Sequence, residues 1–120
     1  MDPGHLVANF GACITLGLGL LGLFAPTRAA GLTSLSPLGP NGRSEMRATY
    51  GGLFAAMGVS CLVTQVDGVF LTVGVAWIGA SIGRLWSVVV DQNLSPKNLG
   101  AVAFECLIGL LLTAPVWSPR

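Results

Sequence analysis

Apolar residues along this chain gather into four long blocks, and polar residues collect in the breaks between them. The blocks run from about Leu6 to Ala25, Met46 to Val66, Val69 to Val90 and Leu99 to Val116. Each approaches the ~20 residues that a helix needs to cross bilayer hydrocarbon. They are too long and too evenly apolar for barrel strands, and open strands would leave backbone groups unsatisfied in lipid. The pattern predicts an all-α protein, a polytopic four-transmembrane-helix bundle forming one domain over residues 1–120. Pro26 stops the first block. A Gly-, Pro- and Ser-rich connection follows over 26–45, with leucines at 32, 35 and 38. Pro37 and Pro40 spoil a continuous helix there, so a short helical turn in the headgroup region and an irregular loop both fit. Asp67-Gly68 reads as a turn, and Asp91 to Lys97 as a polar connection.

Composition agrees with the pattern. Hydrophobic residues make up 52% and charged residues 9%, against about 25% charged in a soluble domain, and the mean hydropathy is +0.75. A soluble fold of this size would have too little polar side chain to cover itself. A net charge of +1 supplies no basic face, which argues against nucleic acid as a partner. The 17 glycines fall largely inside the apolar blocks, where they let membrane helices approach closely. Cys13, Cys61 and Cys106 also lie in apolar blocks without metal-type spacing, and read as small buried hydrophobes. Nothing basic precedes the first block, so it is expected to be a retained helix rather than a cleaved leader. No lipidation motif is apparent.

Four crossings put both termini on one side with Asp67, and the 26–45 and 91–98 loops on the other. The loop side carries Arg28, Arg43, Arg47 and Lys97; the terminal side has only Arg120. By the positive-inside rule the loops are expected to be cytoplasmic and the termini outside, in a bacterial inner membrane.

Two charges fall within the blocks themselves. Arg84 lies about six residues before the third helix ends, roughly 9 Å in at ~1.5 Å per residue. Glu105 lies at nearly the same depth in the fourth helix. A charge at mid-bilayer costs from about 2.5 to more than 10 kcal/mol, so an Arg84–Glu105 ion pair is the simplest way to tolerate both. Small residues accompany them. Ala101, Glu105, Gly109 and Thr113 recur every fourth residue, as do Ala76, Ala80 and Arg84, with Gly79 and Gly83 beside the latter. Both stripes predict helix contacts rather than lipid faces, as does Gly11, Thr15 and Gly19 in the first helix. Arg47, Tyr50, Gly51 and Phe54 share a face of the second helix, so Arg47 and the Tyr50 hydroxyl can join the same cluster. The candidate binding residues are Arg47, Tyr50, Arg84 and Glu105. One reading makes the Arg84–Glu105 pair a device that fixes helix register; the other makes the cluster an anion or proton site.

Other signals are weaker. His5, the single histidine, sits near the start of the first helix and reads as a structural interfacial residue. Trp77 lies mid-helix, while Trp86 and Trp117 lie nearer helix ends, where amphipathic rings favour the interface. Phosphate loops, dinucleotide fingerprints, HExxH and Ser/His/Asp sets are absent, so no cofactor, metal or enzymatic activity is expected.

The run Ser44-Glu45-Met46-Arg47-Ala48-Thr49-Tyr50-Gly51-Gly52-Leu53-Phe54, followed by Gly79 to Leu85 and a lone Glu105, resembles a bacterial family of small four-helix integral membrane proteins. That family is known only as domain of unknown function 4345. The likeness extends from the first helix to about Thr113. It implies the fold and the membrane location, marks Glu45, Arg47, Tyr50, Arg84 and Glu105 as family-type polar positions, and implies no activity.

Three function classes follow. The first is a non-enzymatic accessory or structural subunit, with the bilayer and a larger membrane complex or a homo-oligomer as partners. The second is a small oligomeric proton-coupled transporter or anionic-lipid-binding protein using Glu105 and Arg84. The plan resembles the small multidrug resistance transporters, which place their glutamate in helix 1, where this chain has no charge. An enzyme on lipid or quinone substrates ranks last, for want of a nucleophile–base pair.

Overall fold

The computed structural model describes residues 1–119, so Arg120, used above to argue orientation, lies outside the described residues. The chain is all-helical. Its elements are α1 (Pro3–Phe24), α2 (Pro26–Leu32), α3 (Gly39–Glu45), a π-helical segment (Met46–Leu53), α4 (Phe54–Thr64), α5 (Asp67–Val90) and α6 (Pro96–Trp117). Among the described residues, four helices are long and apolar enough to cross a membrane: Pro3–Phe24, the continuous run Gly39–Thr64, Asp67–Val90 and Pro96–Trp117.

Local chemistry explains the boundaries. Asp2 accepts from the Gly4 amide at 3.3 Å, and Pro3 opens α1 where its missing N–H is no loss. Pro26 offers no donor to the Gly22 carbonyl, so α1 ends at Phe24 and α2 starts afresh. The expected start of the second block at Met46 moves back to Gly39. Pro40 lies in the first turn of α3, where its ring is tolerated. The expected turn at Asp67-Gly68 is displaced as well. The chain reverses at Gln65, which adopts φ 53°, and Asp67 stands in the first turn of α5, where a carboxylate suits the helix dipole. Ser95 caps α6 by accepting from the Asn98 amide at 3.2 Å, with Pro96 next.

Contacts divide the chain into two compact units, Met1–Gly11 with Gln65–Arg120, and Ala12–Thr64. In the first, α5 packs along α6. The buried face of α5 is Phe70, Val73, Gly74, Trp77 and Ser81, and that of α6 includes Glu105, Ile108, Gly109, Leu112 and Thr113. The helices meet most closely at Gly74 and Gly109. A Cβ on Gly109 would lie 2.9 Å from the Gly74 carbonyl oxygen, and one on Gly74 would lie 2.9 Å from that of Gly109. Below that crossing, Trp77 meets Phe104 edge-on at 6.2 Å.

In the second unit, α1 crosses the π-helical segment with equally little room. A Cβ on Gly22 would overlap the Tyr50 carbonyl, and one on Gly51 would come within 2.7 Å of the Leu23 nitrogen. Beyond this crossing Ala29, Ala30 and Met46 form a small buried cluster, flanked by Leu21 and Tyr50. Away from the contacts the long helices expose side chains such as Phe10, Val63, Ile82, Val89 and Leu107, apolar on the outside as well as within.

Candidate functional site

Ser81, Arg84, Asn98 and Glu105 come together where the C-terminal part of α5 faces the N-terminal part of α6. The Ser81 hydroxyl donates to the Val102 carbonyl at 2.9 Å, which fixes the two helices at this level. One turn on, Arg84 Nε donates to Glu105 Oε1 at 2.8 Å. Arg84 Nη1 reaches Asn98 Oδ1 at 3.4 Å, the long limit of a hydrogen bond. Asn98 is itself held, because its Nδ2 donates to the Asn93 carbonyl at 3.1 Å. The side chains of Arg84 and Glu105 are 32% and 11% exposed. The ion pair predicted from depth is therefore present.

Its geometry differs from a bidentate fork in a way that matters. Contact is made through one nitrogen and one oxygen, leaving Glu105 Oε2 buried without a hydrogen-bond partner. A buried orphan acceptor costs about 1–3 kcal/mol, and more when charged. Chemically, the site holds one acceptor lacking a donor beside a guanidinium whose outer edge is partly open.

The candidates Arg47 and Tyr50 belong to the Ala12–Thr64 unit, Arg84 and Glu105 to the other. Arg47 is exposed, and its Nη1 donates to the Leu23 carbonyl at the end of α1. A cation there complements the negative end of the helix dipole. The Tyr50 ring packs by Phe54 at 5.8 Å and borders the Ala29–Met46 cluster. Glu45 accepts from the Thr49 hydroxyl at 2.7 Å.

The small-residue stripes divide. Glu105, Gly109 and Thr113 on α6 are buried as expected, and so are Gly11, Thr15 and Gly19 on α1. On α5 the expectation fails: Ala76, Gly79, Ala80 and Gly83 are exposed, and a Cβ on Gly79 or Gly83 would meet nothing within 4 Å. The buried face of α5 instead carries the large side chains Phe70, against the His5 ring, and Trp77, against Phe104 of α6, and helical spacing from them runs through Gly74 and Ser81. Arg84 reaches Glu105 from the edge of that face, three residues after Ser81.

One cluster was not anticipated. His5 Nε2 lies 2.9 Å from Asp67 Oδ1, and His5 Nδ1 lies 3.8 Å from Asp2 Oδ2. Asn9 and Gln65 exchange two amide hydrogen bonds alongside, at 3.2 and 2.7 Å. The expected topology, with the N-terminus and Asp67 on one side, carried the signal for this pairing. Among the described residues no group of three or more His, Cys, Asp or Glu could hold a metal ion.

The sequence model of one family, described as a domain of unknown function (DUF4345), matches residues 5–115. The chain belongs to that family. The match spans α1 to Pro115 and includes every residue of the α5–α6 polar group. No curated protein and no solved structure matches the chain.

Proposed function

We propose that this DUF4345 protein is a non-enzymatic integral membrane component, an accessory subunit of a larger membrane assembly in the bacterial inner membrane. In this reading the 26–45 and 91–98 loops are cytoplasmic and the termini lie outside. The observation that carries it is the 2.8 Å Arg84–Glu105 contact inside the α5–α6 seam. A pair committed between two helices at matched depth sets their register and lets both charges persist in hydrocarbon. Further support comes from the outward Gly79 and Gly83, which leave α5 with a face that another membrane helix can approach. Purification from native membranes in mild detergent tests this. The chain should migrate with a larger assembly; running alone as a small species would defeat the reading.

The orphaned Glu105 Oε2 favours a second reading, a proton-coupled transporter or a binder of anionic ligands. There Arg84 holds the anion, and Glu105 accepts the proton or a donor group of the cargo. Glu105→Gln should then abolish uptake or ligand binding in reconstituted vesicles while the protein remains folded. Unchanged transport in that variant would remove this alternative.

A further inference from the structure

Residues 24–47 form an ordered element with two unmet demands on its outer surface. Thr33 closes α2 by donating its hydroxyl to the Ala30 carbonyl at 3.0 Å, and the Leu35 amide donates to the same carbonyl at 2.8 Å. Ser34 takes φ 60° to make the turn. Gly42 then brings α3 back against Pro37, where a Cβ would sit 2.9 Å from the proline carbonyl carbon. Ala29 and Ala30 pin α2 to Met46. The loop is thus a folded cap rather than loose chain.

Its outward side chains are of two kinds. Phe24, Leu32, Leu35 and Leu38 are exposed, Leu38 at 86%. Arg28, Arg43 and Arg47 are exposed as well, and the only acid between residues 24 and 47 is Glu45, which already serves Thr49. Water satisfies the guanidinium groups but not the leucines, and a plain hydrocarbon phase does the reverse. An interface bearing negative headgroups satisfies both, with leucines at the acyl boundary and arginines at phosphate level. We infer that the 24–47 cap is a docking surface for anionic phospholipid, selecting it over zwitterionic lipid through Arg28 and Arg43. The inference rests on the reading that α1 and the helix running to Thr64 span the membrane, since that is what puts the chain between them, with the first turns from Gly39, at headgroup depth.

The test uses the full chain in micelles mixed equally with phosphatidylglycerol and phosphatidylcholine, counting retained lipids by native mass spectrometry. Wild type should retain phosphatidylglycerol preferentially. Each basic residue at an anionic surface is worth about fivefold, so the double variant Arg28→Gln/Arg43→Gln should lose about 25-fold of that preference. Circular dichroism should stay helical, because both side chains are exposed. Leu35→Ser/Leu38→Ser should lower retention of both lipids. An unchanged preference in the arginine variant would overturn the inference. So would competition by millimolar inorganic phosphate, which would make this a free-anion site, or loss of preference in Arg84→Gln instead. Loss of a co-purifying protein with lipid retention intact would overturn it in favour of a protein partner. Alkaline carbonate extraction of native membranes separates the premise: release of the wild type would sink the spanning reading and this inference together.

Discussion

The two ends of α5 are each held by a side-chain polar contact of nearly the same length, yet they sit in different surroundings. At the start, Asp67 meets His5 at 2.9 Å, with side chains 37% and 20% exposed. Toward the far end, Arg84 meets Glu105 at 2.8 Å, and the carboxylate is 11% exposed with one oxygen orphaned. The first pair has company that shares its load: Asp2 on the other ring nitrogen, the His5–Phe70 ring contact, and the Asn9–Gln65 amides. The second has Asn98 at the limit of bonding distance and little else. Bond length does not rank the two. What ranks them is what each group would face if its partner vanished. An exposed pair is worth about 0–1 kcal/mol because water replaces the lost partner, whereas a buried charge left alone costs about 3–5 kcal/mol.

Arg84→Gln breaks the comparison at its strong end. Glu105 would be left in the α5–α6 seam with both oxygens short of donors, and the protein should lose about 3 kcal/mol against denaturant titration in detergent. Exchanging the charges, Arg84→Glu with Glu105→Arg, should recover most of that loss, because an ion pair is rebuilt across the same seam. A swap no better than the single variant would mean that the site's shape matters more than its charge pairing.

Gly109→Val comes next and probes the seam without touching a charge. The new side chain would meet Ile78 at 2.5 Å and the Gly74 carbonyl at 2.9 Å, and backbone cannot step aside as a flexible side chain does. Overpacking of this kind costs about 1–3 kcal/mol, so about 2 kcal/mol is expected in the same titration. It should also weaken the Arg84–Glu105 contact by prying the helices apart. Combined with Arg84→Gln it should therefore give less than the sum of the two effects.

Asp67→Asn tests the weak end. An asparagine oxygen can still accept from the imidazole, and the Asp67 side chain is 37% exposed, so the loss should stay below about 1 kcal/mol. A loss equal to that of Arg84→Gln would show that the His5 end is as dry in its membrane setting as the seam is, and the contrast drawn above would collapse.

The strong end was legible in the sequence because two charges inside apolar blocks must find each other, and depth alone matched 84 to 105. The weak end was equally readable in principle, since His5 and Asp67 fall on one side of any four-pass threading. A lone histidine at a helix start simply carries less surprise than an arginine in hydrocarbon. The α2 turn and the π-helical stretch depend on local backbone packing, such as Gly22 on Tyr50, which periodicity does not encode. The α5 stripe misled for a physical reason. Small residues mark a face that can pack closely, but they do not say against what. The buried face of α5 instead runs through Phe70, Gly74, Trp77 and Ser81.

That misplacement supplies the smallest effect and the sharpest use of it. Gly79 is exposed, with room for a side chain, so Gly79→Leu should change the chain's own stability by no more than about 0.5 kcal/mol. Any gain in helix propensity would push slightly toward stability. If α5 offers that face to a neighbouring membrane helix, the added side chain stands where the two backbones must approach. The large assembly should then dissociate in native-membrane extracts while Arg84, Glu105 and the seam remain intact. Gly100, exposed on α6 with equally open space, is the matched control. Leucine there should leave both stability and assembly alone. If Gly79→Leu and Gly100→Leu behave identically in both measurements, the open face of α5 is a lipid face, and the case for an accessory subunit must rest on the ion pair alone.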